Sequence, residues 1–148
     1  MVHELLYSSI AKPDLTTEDI SAILKSSQEF NLKYNITGCL LYFDKEFIQI
    51  LEGEEQLVKN LFSKIKKDCR HTNIMLLLEN SKTERVFKNW SMAFSKLSIE
   101  DMNDIDKVLF VNNFITSSEL DYQSTKASKL FFNLAKEPFK KMINNMIL

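Results

Sequence analysis

The sequence predicts an α+β protein of ferredoxin-like type: a βαββαββ sheet with two helices on one face, plus short C-terminal helices. Three observations carry this. Strand and helix patterns follow one another in the order strand, helix, strand, strand, helix, strand, strand. A hairpin pattern lies at the centre, between the glycines Gly38 and Gly53: two apolar runs, Cys39 to Phe43 and Phe47 to Leu51, flank Asp44-Lys45-Glu46. The second of these runs is apolar on both of its alternating faces except at Gln49, which marks a strand buried on both sides with an amide inside it. A buried amide needs partners, because leaving one unsatisfied costs roughly 1–3 kcal/mol.

Leu5 to Ile10 forms the first short strand, ended by Lys12-Pro13-Asp14. Thr16 and Asp19 then make a capping box with Asp in place of the usual Glu, opening a helix that runs to about Lys33. Its apolar stripe is Ile20, Ile23, Leu24 and Phe30, with small Ser27 as a gap that reads equally as imperfection or as room for a ligand. After the hairpin, Glu54-Glu55 suits a helix N-terminus, and Leu57, Val58, Leu61, Phe62 and Ile65 follow at helical spacing. Ile74 to Leu78 reads as an interior strand, and Trp90 to Phe94 as a fifth with Trp90, Met92 and Phe94 in phase. In the ferredoxin-like order the first and third strands are central neighbours, which puts Tyr7 beside Gln49 on one face. Beyond Ile99 the chain turns acidic. Ala127, Leu130, Phe131, Leu134 and Ala135 then form one helical stripe, and Phe139, Met142, Ile143, Met146 and Ile147 another after Pro138. The expected division is 1–97 as a ligand-binding domain and 98–148 as a helical extension packed on the open sheet face.

Composition narrows the function. At 148 residues, 45% hydrophobic and 26% charged, the chain is one ordinary globular domain in size and content. A net charge of −1 makes no global case for nucleic acid. Cys39 and Cys69 have no metal-ligand spacing, and Cys39 reads as a small core residue. The start of the chain lacks the basic and apolar regions of a signal peptide, and no apolar run reaches the roughly 18 residues of a membrane helix. The expectation is a soluble cytoplasmic protein.

No phosphate-binding glycine loop is present. His3 and His71 read as surface histidines without a metal cluster, and Lys64, Lys66, Lys67, Arg70 and His71 as cations at a helix C-terminus or as a phosphate grip. Tyr7, Trp90 and Met92 taken singly are core residues. Taken with Gln49 and Asn31, they bring a phenol and two amides toward one pocket with few charges, which suits a neutral, planar, hydrogen-bonding ligand better than a hydrolytic centre.

At these residues the chain resembles a BLUF domain, the blue-light sensor that uses a flavin. The likeness runs from about Leu5 to Leu97 through Leu5-Leu-Tyr-Ser-Ser9, Asn31, Asn35-Ile-Thr-Gly-Cys-Leu-Leu-Tyr42, Phe47-Ile-Gln-Ile-Leu-Glu-Gly53, Asp68-Cys-Arg-His71 and Asn89-Trp-Ser-Met92. The tail resembles that of short single-domain members. The resemblance implies a non-covalent flavin, FAD with FMN as the other candidate, and a sensor with no enzymatic turnover. It implies Tyr7 as the light-driven electron and proton donor. Gln49 would bridge Tyr7 and flavin N5 or O4 and rearrange after excitation. Asn31 would hold the ring, Trp90 and Met92 would relay the rearrangement, and Lys64, Asp68 and Arg70 would meet the ribityl and phosphate end. Phe30 stands where many members have a second asparagine. Lys64 stands where many have arginine, and lysine lacks the planar two-point grip of a guanidinium. Expected partners are the flavin, a second copy of the chain joined through the tail, and a downstream protein, with no nucleic acid and no membrane. Two other readings remain: a ferredoxin-like small-molecule-binding regulatory domain without photochemistry, and a small acylphosphatase-like hydrolase, against which the scarcity of glycine argues.

Overall fold

The computed structural model describes residues 1–43, 45–88, 93–96, 125–131 and 133–134. Within them the order is β1 (Val2–Ala11), α1 (Thr17–Lys33), β2 (Thr37–Phe43), β3 (Glu46–Gly53), α2 (Glu55–Lys67), β4 (His71–Lys82) and β5 (Ala93–Lys96). The strands form one sheet in the order β4-β1-β3-β2-β5. All neighbours are antiparallel except β5, which runs parallel to β2.

Local chemistry accounts for the boundaries. The Thr16 hydroxyl accepts the Asp19 N–H at 3.1 Å while the Asp19 carboxylate accepts the Thr16 N–H at 2.9 Å, completing the expected capping box of α1. Asn35, at φ 53°, takes the left-handed conformation just past the helix that asparagine tolerates well. At the start of α2, Glu54 caps with its own side chain by accepting the Gln56 N–H at 3.0 Å. Lys45, at φ 64°, turns the β2–β3 hairpin. Gly38 is required where it stands: a side chain there would bring Cβ within 2.0 Å of the Ile50 carbonyl oxygen, at a φ of 154°.

Both helices lie on one face of the sheet, over Leu5, Tyr7, Leu40, Phe47 and Leu51, with Val58 and Phe62 of α2 closing the core. The opposite face is also dry, since Leu6, Cys39, Leu41 and Ile50 are buried. β3 is therefore buried on both sides, as Gln49 and its neighbours predict. β4 differs from expectation. It is an edge strand, not an interior one, and Met75 and Leu76 are 61% and 45% exposed. Its place comes from backbone pairing with β1, interrupted by irregularities at Leu6/Tyr7 and Ser8/Ile10, so an apolar side-chain run was a poor guide to its depth.

β5 overlaps the expected fifth strand at Ala93 and Phe94; Trp90 and Met92 lie outside the described residues. In the tail, residues 126–131 are helical (α3), begun by a reciprocal cap in which Ser128 N–H and Thr125 N–H each bond the other residue's hydroxyl, at 3.2 and 2.9 Å. Ala127 and Phe131 are buried, as their stripe predicts, whereas Leu134 is exposed. The stripe from Phe139 to Ile147 lies outside the described residues.

Candidate functional site

Antiparallel pairing of β1 with β3 sets Tyr7 directly opposite Gln49, two register positions from Leu5–Leu51 and from Ser9–Phe47 on the same face. Both side chains are buried on the helix face, and the Tyr7 hydroxyl donates to Gln49 Oε1. The amide in the core thus has the phenol as a partner, answering the demand that its burial creates. The Tyr7 ring packs on Phe62 of α2 at 5.3 Å. Burial pushes the phenol pKa well above its ordinary value and the Asp68 carboxylate adds to this, so Tyr7 stays protonated throughout the physiological range.

Between this pair and the two helices lies a cavity of about 230 Å³. Tyr7 and Gln49 form its floor with Leu40 and Phe47, α1 contributes Ile23, Ser27, Phe30 and Asn31, and α2 contributes Leu61 and Lys64. Ser27, the gap in the α1 stripe, is a wall of this space. Asn31 is fully buried, yet neither its Oδ1 nor its Nδ2 has a hydrogen-bond partner among the described residues. Of the buried unpartnered side chains, Asn31 lines the cavity, so its amide offers a donor and an acceptor to a polar ligand, and each left unpaired costs about 1–3 kcal/mol.

The basic residues at the rim are already engaged. Lys64 Nζ lies 4.8 Å from the centre of the Phe30 ring, within cation–π range, so these two cavity-lining side chains from α2 and α1 meet directly. Arg70 grips Asp68 with two nitrogens, Nε at 3.0 Å from Oδ1 and Nη2 at 2.6 Å from Oδ2, and this holds the Asp68 carboxyl below its ordinary range. Lys66 Nζ lies over the Phe62 ring at 5.0 Å.

The histidines correct the sequence reading. His3 is buried and bonds Glu79 at 2.7 Å. His71 lines the cavity: in the neutral ring Nε2–H donates to the Ile65 carbonyl at 2.6 Å, which leaves Nδ1 to accept the Ser9 hydroxyl at 2.8 Å. It stitches β4 to α2 and to β1. Among the described residues no cluster of His, Cys, Asp and Glu could hold a metal ion.

The family described as "Sensors of blue-light using FAD" matches residues 2–93. The chain belongs to the BLUF family. The Blue light- and temperature-regulated antirepressor BluF of Escherichia coli (strain K12) is 30% identical over 110 residues, covering 74% of this chain and 27% of that protein. The BLUF protein BlrB in its dark state aligns at 29% identity with a TM-score of 0.64, covering 79% of this chain and 96% of that one. BlsA in its photo-activated state aligns at 34% identity and a TM-score of 0.66, covering 90% and 93%. The chain thus spans about a quarter of the antirepressor but nearly all of BlsA. FAD is the cofactor by which the family is described. The donor set here fits a BLUF flavin: apolar side chains such as Ile23, Leu40, Phe47 and Leu61 to pack on a ring, with the unpaired Asn31 amide and the Gln49 amide to meet its polar edge. No helix among the described residues is long and apolar enough to cross a membrane.

Proposed function

We propose that this chain is a blue-light photoreceptor in which Tyr7 and Gln49 are the switch. The observation that supports it most is the buried Tyr7–Gln49 hydrogen bond opening onto the same cavity as the orphaned Asn31 amide. Asn31 would hold the flavin ring, and Lys64, Asp68 and Arg70, which line the same cavity, would meet the ribityl and phosphate end. The ring system of FAD, or of FMN, would occupy this cavity between the sheet and the two helices.

Photoexcited flavin supplies the oxidising power. Tyr7 would give its electron to that oxidant, and its proton would leave along the hydrogen bond that already points at Gln49 Oε1. A phenol held protonated by burial yields electron and proton together, which avoids a charged phenolate in a dry site. Gln49 then turns its amide end over or tautomerises, exchanging donor and acceptor at little steric cost. Return of the electron and proton in the dark restores the pair.

Trp90 and Met92 pass the change into the last strand, and 98–148 acts as an extension that a homo-oligomer or a downstream protein reads in the cytoplasm. Purified protein is expected to be yellow and to release free FAD or FMN on denaturation. Tyr7→Phe is expected to stay yellow and to lose the light response. A protein that binds no flavin on reconstitution would overturn the reading.

A further inference from the structure

The face of the sheet turned away from the cavity carries a buried charged cluster that the flavin site does not use. Glu4 of β1 and Glu52 of β3 are direct cross-strand partners and both are fully buried. Lys82 at the end of β4 bridges them, with Nζ 2.6 Å from Glu4 and 2.7 Å from Glu52. Glu52 has a second set of partners. Its Oε1 accepts the N–H of Val86 at 2.9 Å, and its Oε2 accepts the N–H of Phe87 at 3.1 Å and the Thr37 hydroxyl at 3.2 Å. Arg85 closes the joint from the side, donating to the Glu52 carbonyl at 3.0 Å, the Thr37 hydroxyl at 2.9 Å and the Asn35 carbonyl at 2.7 Å. Beyond the clamp, the Phe87 ring meets Phe131 of α3 edge-on, with centroids 5.9 Å apart and both side chains buried.

We infer that Glu52 is a positioning residue for signal output: it ties the strand that carries Gln49 to residues 86–87, and through Phe87 to the C-terminal helix. This rests on the photoreceptor reading. Gln49 and Glu52 lie on the same strand but on opposite faces, so a shift of β3 that follows rearrangement in the cavity arrives at the carboxylate on the far side. Charge-assisted bonds to a buried carboxylate are stronger than an edge-on ring contact. The clamp therefore moves with β3, and the Phe87–Phe131 contact is where the strain is released. α3 responds without touching the cavity.

Hydrogen exchange of the full flavin-bound chain, read in darkness and under blue light over 86–88 and 127–131, tests this. The wild type is expected to change exchange a few-fold with light in both segments. Glu52→Gln leaves Lys82 paired with Glu4 and keeps the volume, but its NH₂ can no longer accept one of the two backbone N–H groups. It is expected to keep the flavin and its spectral shift, while the light–dark ratio in both segments falls to one. The ratio is the readout because a purely structural loss raises exchange in both states alike. Phe131→Leu, which leaves the clamp intact, is expected to keep the ratio at 86–88 and lose it at 127–131; should Glu52→Gln not fold, this variant carries the test. A wild-type light–dark ratio in Glu52→Gln, an unchanged ratio at 127–131 in Phe131→Leu, or a wild type whose spectrum shifts with no change at 127–131 would overturn the inference. A wild type with flavin but no spectral shift would overturn the photoreceptor reading instead.

Discussion

On the helix side of β1 and β3, Tyr7 and Gln49 bury a neutral hydrogen bond beside an Asn31 amide that no described residue partners. On the other side, Glu4, Glu52 and Lys82 bury full charges, and Glu52 finds every acceptor site a use within the chain. The two sites share the same strand pair and differ in what completes them. The Glu52 carboxylate, closed by its own chain, fixes the sheet to its connections, whereas among the described residues the Glu4 oxygens meet only Lys82. An amide left open in a cavity is a place reserved for a ligand. Substitutions on the two faces should therefore act differently: on one side through stability, on the other through flavin.

The largest effect is expected on the charged face. Lys82→Met leaves two fully buried carboxylates opposite one another, and breaking a buried ion pair this way costs on the order of 3–5 kcal/mol. Denaturant unfolding would measure it, and a loss under about 1 kcal/mol would mean that the cluster behaves as a solvated surface pair. Gly38→Ala strikes both faces at once, because β2 supplies Leu40 to the cavity and Cys39 and Leu41 to the far side. Backbone strain alone is expected to remove about 1–3 kcal/mol, with further loss as β2 moves off Ile50. Normal stability and normal flavin retention in this variant would contradict the close approach of the two strands.

The sharpest contrast comes from Asn31→Leu. Removing orphaned polar atoms should leave the flavin-free protein as stable or up to roughly 1–3 kcal/mol more so, while flavin affinity falls by about tenfold. Loss of stability in the flavin-free protein would place Asn31 with the structural residues. The smallest effect concerns Asp68. Its carboxyl is held low by the Arg70 hydrogen bonds, so its contribution is present above the ordinary carboxylate value of about 4 and is lost as pH falls through its lower folded value. Asp68→Asn should be less stable than the wild type near neutrality and approach it below that range; a gap that persists unchanged into acid would assign the effect to packing.

Much of this was legible in the residues. Alternation across Phe47 to Leu51 and the capping pair Thr16 and Asp19 located the central strands and α1, and the neighbouring of the first and third strands put Tyr7 on Gln49. What stayed hidden depends on contacts between distant segments. Glu4, Glu52 and Lys82 each look like ordinary surface charges, and only the sheet order brings them together in a dry place. The Phe30–Lys64 contact joins two helices with no sequence cue for their approach. β4 misled because its five consecutive apolar residues from Ile74 suggest depth, while Met75 and Leu76 face solvent. His71 carried a usable signal in its place beside Arg70, but nothing local showed that Ser9 and Ile65 would claim both ring nitrogens.

The central claim is that the Tyr7–Gln49 pair is the light switch, and the absorption spectrum of the flavin-bound protein before and after blue light tests it most directly. The wild type should show a reversible red shift that decays in the dark. Gln49→Leu, similar in volume and unable to accept from Tyr7, should retain flavin and show no shift. A normal, reversible red shift in Gln49→Leu would contradict the account.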